Sequence, residues 1–227
     1  MVIASNPMDS DVVSPRERYR AQVQAEIKQH AWQQIATTGV SALSLKAIAK
    51  HLGMSGPALY RYFASRDDLI TALIRDAYRS LADAVREAYD SGADIAALAH
   101  VVRAWALSDP HRYLLIYGTP VPGYQAPADT VAMSQEIMSV LIAAHRKTEI
   151  PSPQTPFAAH LDSHRHWSPD PTAPAAVLRQ AMTFWTRLHG VLSLELAGHF
   201  TGMGIDVALL YADEVDSLTH QNLGRFR

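Results

Sequence analysis

The most constraining feature of this sequence is a series of short helical segments joined by tight turns between residues 14 and 91. Ser14 and Glu17 have the spacing of a capping box, and Gly39 is placed to end the first helix. Ser44 and Ser55 are start signals for two further helices. No strand-like alternation of apolar and polar residues interrupts them. The pattern predicts an all-α fold.

An apolar stripe with four-residue spacing defines the buried face of the first predicted helix. Its members are Tyr19, Val23, Ile27, Ala31 and Ile35. A similar stripe begins at Leu69 and continues to about residue 91, which predicts a long fourth helix. Both helices are therefore expected to pack along one side only.

The remainder of the chain also has helical periodicity, but the segments that connect its predicted helices are longer. Helices are predicted at 94–108, 109–117, 129–147, from about 174 into the 190s, and at 206–219. Five of the thirteen prolines lie in residues 148–173, which are predicted to be an extended loop. We expect a disordered arm at 1–14, a three-helix domain at 15–66, a connecting helix at 67–91 and a helical domain at 92–227.

The charge is divided unevenly along the chain. Residues 15–66 contain eight Lys or Arg and two Glu, a net charge of +6, whereas residues 67–227 contain twelve basic and eighteen acidic residues, a net charge of −6. A basic N-terminal segment followed by an acidic remainder indicates that the N-terminal segment binds a polyanion. A merely solvated basic helix is the alternative that charge alone leaves open.

The composition excludes several classes of protein. The chain has no cysteine, which removes disulfides, thiolate zinc sites and cysteine nucleophiles. It has neither a run of about 18 apolar residues nor the parts of a signal peptide, so we expect a cytoplasmic protein without a membrane span. No glycine-rich phosphate loop or nucleophile elbow is present, and we expect no enzyme activity, cofactor or metal.

Residues 43–69 carry the most informative motif, a short helix, a tight turn and a second short helix. A helix that enters a DNA major groove about 12 Å wide must begin with small residues. Here they are Ser55, Gly56, Pro57 and Ala58. Tyr60 and Tyr62 can donate to phosphates, and Arg61 can reach a phosphate or a guanine edge. The tyrosines can alternatively be half-buried packing residues.

Three separated segments resemble the DNA-binding domain of TetR-family regulators, and the resemblance covers residues 15–85. The segments are LKAIAKHLGMS at 45–55, LYRYF at 59–63 and SRDDL at 65–69. A second segment, WTRLHG at 185–190, resembles the WHG-type C-terminal domain of that family, and PHRYLLIYG at 110–118 and LELAG at 194–198 fit the same subgroup.

The resemblance implies DNA contacts at named positions. Ser44, Lys46 and Arg66 would contact phosphate. Ser55, Gly56, Pro57 and Ala58 would face bases, and Tyr60, Arg61 and Tyr62 would face bases or backbone. Pro57 stands where threonine or alanine is common, so one hydroxyl and one amide are missing from the base-facing surface.

The resemblance also implies the architecture and the mode of action. A three-helix helix-turn-helix domain would be joined by the fourth helix to a C-terminal helical bundle, in a protomer of nine helices or a similar number. The last two helices would form a four-helix bundle in a homodimer, where the small residues Gly190, Ala197 and Gly198 permit close approach. Such a dimer would bind a palindromic double-stranded operator, most simply as a repressor released by a small molecule.

Large adaptable side chains in the C-terminal half are candidates for a ligand pocket. They are Trp105, Tyr113, Tyr117, Met133, Met138, Phe184, Trp185 and His189. Each can equally be ordinary core, and His189 can simply satisfy a backbone carbonyl. Because few formal charges accompany these residues, we expect a hydrophobic or aromatic effector.

A metal-like cluster supplies the alternative hypothesis, a small helical metalloenzyme that uses the loop from His160 to His166. Its candidate ligands are His160, Asp162, His164 and His166. The spacing of His164 and His166 suits a loop or strand, and a polar loop without metal explains the same residues.

Overall fold

The computed structural model describes residues 14–125, 127–148 and 155–220. In these residues every regular element is a helix, so the predicted all-α fold is confirmed. The helices are α1 (Pro15–Thr38), α2 (Leu45–His51), α3 (Gly56–Tyr60), α4 (Arg66–Asp90), α5 (Ile95–Ser108), α6 (Pro110–Tyr117), α7 (Ala128–Arg146), α8 (Pro156–Ser163), α9 (Ala175–Leu196) and α10 (Val207–His220). None of these helices combines the length and the apolar character that a membrane span requires.

Local capping starts and ends α1 where the sequence predicts. Ser14 Oγ accepts a hydrogen bond from the Glu17 amide at 3.2 Å, and a Glu17 carboxylate oxygen accepts one from the Ser14 amide at 2.9 Å. The helix ends at Gly39, whose φ of 79° is a left-handed value that favours glycine. Of the predicted disordered arm, only Ser14 is among the described residues, and it is this N-cap.

The chain divides into two compact units, residues 1–70 and residues 71–227. The first unit has an apolar core that includes Val23, Ile27, Ala31, Ile35, Ile48, Leu59 and Phe63. Tyr19 does not belong to it, because 64% of its surface is exposed. The prediction of a buried Tyr19 is wrong because every residue of 15–22, the first two turns of α1, is exposed.

The second unit has a larger core to which helices α5, α6, α7, α9 and α10 and the later part of α4 contribute. Its largest fully buried side chains include Tyr113, Tyr211 and Phe184. Tyr211 Oη donates to the carbonyl oxygen of Ala99 at 2.8 Å, which ties α10 to α5 and satisfies a buried hydroxyl.

Helix α8 corrects the prediction of an extended loop at 148–173. Thr155 Oγ1 accepts from the Ala158 amide at 3.1 Å and Pro156 occupies the first helical position, so proline starts a helix here. Ala158 and Leu161 are buried, and Leu161 packs with Leu178 of α9. With α8, the described residues contain ten α-helices, one more than the nine that the resemblance suggests.

The two glycines Gly190 and Gly198 differ in their conformations. Gly190 lies inside the helix and is exposed, with nothing within 4 Å of an added Cβ. Gly198 lies beyond the last residue of the helix and has a φ of 77°. It is therefore a C-terminal turn glycine, and the prediction that it lies within the helix is wrong.

Candidate functional site

Helices α2 and α3 form a helix-turn-helix whose starts are fixed by serine caps. Ser44 Oγ accepts from the Ala47 amide at 3.3 Å, and Ser55 Oγ accepts from the Ala58 amide at 3.3 Å. Gly53, in the turn between the helices, has a left-handed φ of 64°. The hydroxyls of Ser44 and Ser55, which the sequence analysis placed at DNA, therefore cap the N-termini of α2 and α3.

The two faces of α3 have opposite character. Leu59 and the nearby Phe63 are buried in the core of the first unit, which fixes the orientation of the helix. The exposed residues on and beside it are Ser55, Pro57, Tyr60 and Arg61, whereas Gly56, Ala58 and Tyr62 are half-buried. A small, polar and basic surface therefore faces away from the core.

A groove of about 720 Å³ lies between α2 and α3. Its lining includes Ser44, Lys46, Lys50, Gly56 and Tyr60. Lys50 was not among the predicted DNA contacts, although it follows Lys46 by four residues and so shares its face of α2. The helical spacing of the two lysines is the sequence signal that identifies it.

Arg20 of α1 contacts the end of the short helix α3. Its Nη2 donates to the carbonyl oxygen of Arg61, the C-cap of α3, at 3.3 Å. Its guanidinium carbon lies 5.7 Å from the centre of the Tyr62 ring, which is cation–π distance. No local pattern in the sequence indicates this contact, because the residues are 41 positions apart.

Arg66 binds the backbone that precedes α2. Its Nε donates to the carbonyl oxygen of Leu43 at 3.2 Å, and its Nη2 donates to those of Val40 at 2.7 Å and Ser41 at 3.3 Å. This geometry gives Arg66 a structural role that sequence reasoning missed. Its predicted contact with phosphate stays a prediction, with most of its donors already engaged.

Four of the predicted ligand-pocket residues come together in the second unit and form an aromatic cluster: Tyr113, Tyr117, Trp185 and His189. The ring centroids of Trp185 and His189 are 3.9 Å apart, and those of Tyr117 and His189 are 4.3 Å apart. Tyr78 of α4 joins the cluster edge-on to Tyr117 at 6.0 Å. Sequence reasoning did not select Tyr78.

The aromatic cluster contains two buried polar atoms without a hydrogen-bond partner in the described part of the chain, Tyr117 Oη and His189 Nε2. His189 Nδ1 is engaged, because it lies 2.9 Å from Tyr113 Oη, which is itself 2.9 Å from Ser193 Oγ. Burial lowers the pKa of His189 to about 4 and raises the pKa of Tyr117. Both side chains are therefore neutral at pH 7, and each has a polar atom available for hydrogen bonding among apolar neighbours.

The other four predicted pocket residues are not part of the aromatic cluster, although Trp105 and Phe184 belong to the same large apolar core. Trp105 Nε1 donates to Ser80 Oγ at 3.1 Å, and Phe184 contacts the ring of His145 at 5.5 Å. Met138 packs against a smaller apolar cluster that includes Leu161 of α8. Met133 is half-buried on α7.

The comparisons with known proteins agree with the two-part organisation. Residues 27–73 match bacterial regulatory proteins of the tetR family, and residues 95–218 match the tetracyclin repressor-like C-terminal domain. The chain belongs to the TetR family.

Individual known proteins are similar to this chain over most of its length. It is 36% identical over 204 residues to the HTH-type transcriptional regulator Rv1816 of Mycobacterium tuberculosis H37Rv, covering 83% of this chain and 86% of that protein. The chain is 61% identical to SCO4313, whose crystal structure it matches with a TM-score of 0.86 over 91% of this chain and 100% of that one. The TetR-family regulator PfmR from Thermus thermophilus shares the fold, with 14% identity, a TM-score of 0.56, and coverage of 88% and 99%.

Membership of the TetR family assigns the helix-turn-helix to DNA, so this chain is a DNA-binding transcriptional regulator. The metalloenzyme alternative receives no support. His160 and His164 stack at 4.0 Å in and just after α8, but His164 Nδ1 lies 3.0 Å from the carbonyl oxygen of His160. In residues 14–125, 127–148 and 155–220, no three His, Asp or Glu side chains are grouped as metal ligands.

Proposed function

We propose that this TetR-family regulator is a repressor that binds a palindromic operator as a homodimer and leaves it when a hydrophobic or aromatic small molecule binds. The aromatic cluster carries the effector part of the proposal. Small-molecule sites are lined mainly by apolar and aromatic side chains, with a few polar groups that fix the orientation of the ligand. The aromatic cluster has this composition, with Tyr117 Oη and His189 Nε2 as its unpartnered polar atoms. The proposal assigns the protein no enzymatic step.

DNA recognition is proposed to use the exposed surface of α2 and α3. Lys46 and Lys50 would contact phosphates on one strand, and Tyr60 would donate to a phosphate near the tip of α3. The half-buried Tyr62, held by Arg20, would serve as a second phosphate donor. Base recognition would fall to Arg61 and to the small residues at the start of α3, from Ser55 to Ala58.

The dimer is proposed to form through α9, α10 and the segment between them. Large apolar side chains are exposed there: Leu194 at 45%, Met203 at 63%, Ile205 at 49% and Leu209 at 69%. An exposed apolar group of this kind is typical of an interface between subunits. Gly190, exposed in the middle of α9, would let the partner helix approach closely.

Coupling between effector and DNA is proposed to use α4. This helix begins in the first unit and continues into the second, where Tyr78 joins the aromatic cluster. A ligand that displaces Tyr117 would therefore change the packing of α4. A hundredfold loss of operator affinity requires that the ligand favour the released state by about 2.7 kcal/mol, a normal coupling free energy.

The proposal is tested with the DNA that flanks the gene of this protein. Palindromes in that DNA are labelled, and binding is measured by gel shift and fluorescence anisotropy with the purified full-length chain. We expect binding of two protomers per palindrome, and loss of binding when one half-site is scrambled. Binding that depends on neither half-site would contradict the operator hypothesis.

The effector part has a separate readout. A library of uncharged aromatic compounds is screened for release of the bound operator. For a compound that releases it, Trp185→Ala is expected to preserve operator affinity and to raise the concentration needed for release. An identical response of Trp185→Ala, Tyr117→Phe and His189→Leu would place the effector outside the aromatic cluster.

A further inference from the structure

Two buried polar side chains of the second unit have no hydrogen-bond partner in the part of the chain that the structure describes. His145 of α7 is 2% exposed and Gln180 of α9 is 9% exposed. Both ring nitrogens of His145 and both amide atoms of Gln180 are unpartnered. Neither residue was selected by sequence reasoning, and neither belongs to the aromatic cluster of Tyr117 and His189.

The two residues come from helices that pack against each other, α7 and α9. The His145 ring meets Phe184 edge-on, with 5.5 Å between centroids. Gln180 precedes Phe184 by one helical turn and so lies on the same side of α9. The next residue, Ala181, is fully buried in an apolar cluster with Ile142 and Leu178. The polar atoms therefore lie in an apolar interior beside one aromatic ring.

Both side chains are uncharged at neutral pH. Burial lowers the pKa of His145 to about 4, so its imidazole offers one donor and one acceptor. The Gln180 carboxamide also offers both, side by side on one planar group. Buried groups of this kind are normally hydrogen-bonded. These four atoms, which have no partner among the described residues, therefore offer a bound molecule both donors and acceptors at one helix interface.

The chemistry of these atoms defines what such a molecule must carry. A planar cyclic amide presents a carbonyl acceptor and an N–H donor on adjacent atoms, which complements a carboxamide with two parallel hydrogen bonds. A carboxylate or an ammonium group would be buried without an opposite charge on either residue, which is strongly unfavourable. A flat ring also suits the neighbouring Phe184 ring.

We propose that Gln180 and His145 bind an uncharged cyclic amide (a lactam, pyridone or imide fused to an apolar ring) between α7 and α9. Gln180 pairs with the ring amide, and His145 hydrogen-bonds a second polar atom of the same molecule. The expectation that this binding releases DNA rests on the proposed function, but the binding itself does not. Binding itself is measured without DNA, so the two proposals can fail separately.

The test uses carbostyril, a bicyclic lactam, and N-methylcarbostyril, which has the same shape but lacks the N–H donor. Calorimetry and ligand-detected NMR are performed on the full-length protein. We expect saturable binding of carbostyril and at least about tenfold weaker binding of the methylated compound. Equal affinity for the two compounds, or no binding of carbostyril at millimolar concentration, would overturn the proposal.

The variants are Gln180→Leu and His145→Leu, with Gln135→Leu of α7 as the matched control. Both site variants replace unpartnered buried polar groups with apolar ones, so we expect them to fold with melting temperatures at or above that of the wild type. Gln180→Leu is expected to lose the preference for carbostyril over its methylated analogue, while Gln135→Leu retains it. Unchanged discrimination in Gln180→Leu overturns the proposal. So does failure of both site variants to fold, since their polar atoms would then have partners within the protein.

Discussion

Arg79 of α4 and Glu136 of α7 form a two-point ion pair, in which Nη1 lies 2.7 Å from Oε2 and Nη2 lies 3.2 Å from Oε1. One turn earlier on α4, Arg75 Nε lies 2.7 Å from a carboxylate oxygen of Asp129. One turn earlier again, Thr71 Oγ1 lies 3.0 Å from Tyr124 Oη. One side of α4 is thus fastened to α7 and to the segment before it, and a displacement of α7 would act on α4 directly.

The first prediction concerns this ion pair. Both side chains are nearly half exposed, so Glu136→Arg is expected to affect stability little. It should change the ratio of operator affinities without and with effector by about 2- to 30-fold, because it loosens α7 from α4. Anisotropy titrations with and without effector measure the ratio. The exchanged pair Arg79→Glu with Glu136→Arg should restore it, and an unaltered ratio in Glu136→Arg would exclude this route of coupling.

The second prediction concerns phosphate contacts. Lys46→Ala should reduce the slope of log K against log salt by about 0.9, the value for one phosphate contact on duplex DNA. Because phosphate carries no sequence information, operator and random duplex should weaken alike. Titrations between low and physiological salt measure both. Lys46→Arg is the control and should retain the slope, and a loss confined to operator DNA would instead assign Lys46 to base recognition.

The third prediction separates the two roles of Arg66. Removing its hydrogen bonds to the carbonyl oxygens of Val40, Ser41 and Leu43 should lower the free energy of unfolding by about 1–3 kcal/mol. Urea unfolding of Arg66→Ala measures this, with Arg61→Ala, at the exposed end of α3, as the control. Stability equal to the wild type together with a lowered salt slope would show that Arg66 serves phosphate and not the fold.

The fourth prediction tests the dimer interface at Gly190. Alanine is a better helix former than glycine by about 1 kcal/mol, and an added Cβ meets no atom of the same protomer, so Gly190→Ala should fold normally. Gly190→Trp should separate the protomers and weaken operator binding together, because a large side chain keeps the partner helix away. Sedimentation equilibrium is the measurement. Ala104→Trp, on the exposed surface of α5, is the control, and a Gly190→Trp dimer as tight as the wild type would move the interface elsewhere.

The fifth prediction follows from the buried histidines. Burial lowers the pKa of His145 from 6.5 to about 4, so between these pH values the unfolded chain binds a proton that the folded chain does not. His145 should therefore not lower the free energy of unfolding above pH 6.5. Between pH 6.5 and 4 it should lower that free energy by about 1.4 kcal/mol for each pH unit. His189 adds a similar loss, because burial also lowers its pKa to about 4. Urea unfolding at several pH values should give a shallower dependence for His145→Leu, with surface His199→Leu as the control, and equal slopes would refute a buried neutral His145.

Sequence patterns were sufficient where the determinants are local. Ser14, Ser44 and Ser55 each act on an amide three residues later, so their caps can be predicted from spacing alone. Helix α8 was missed because five prolines were interpreted as breakers, although Pro156 occupies a first helical position that suits proline. The error lay in judging proline by number and not by position.

The contacts that shape the candidate sites were beyond such patterns. Arg20 and Arg61 are 41 residues apart, and Tyr113 and His189 are 76 residues apart. Of eight residues chosen for a ligand pocket, Tyr113, Tyr117, Trp185 and His189 come together. Size and type favoured all eight, but helix packing decided which rings meet.

The sequence by itself determined the all-α fold, the start signals of the helices, the basic N-terminal segment and the family, because each depends on residues close together in the chain. Tertiary structure alone decided that Arg66 holds the backbone before α2 and that Tyr19 is exposed. It also decided that His145 and Gln180 are buried with no hydrogen-bond partner among the described residues. The physical reason is that burial and hydrogen bonding between distant residues depend on how helices pack, and the same amphipathic pattern is compatible with many packings.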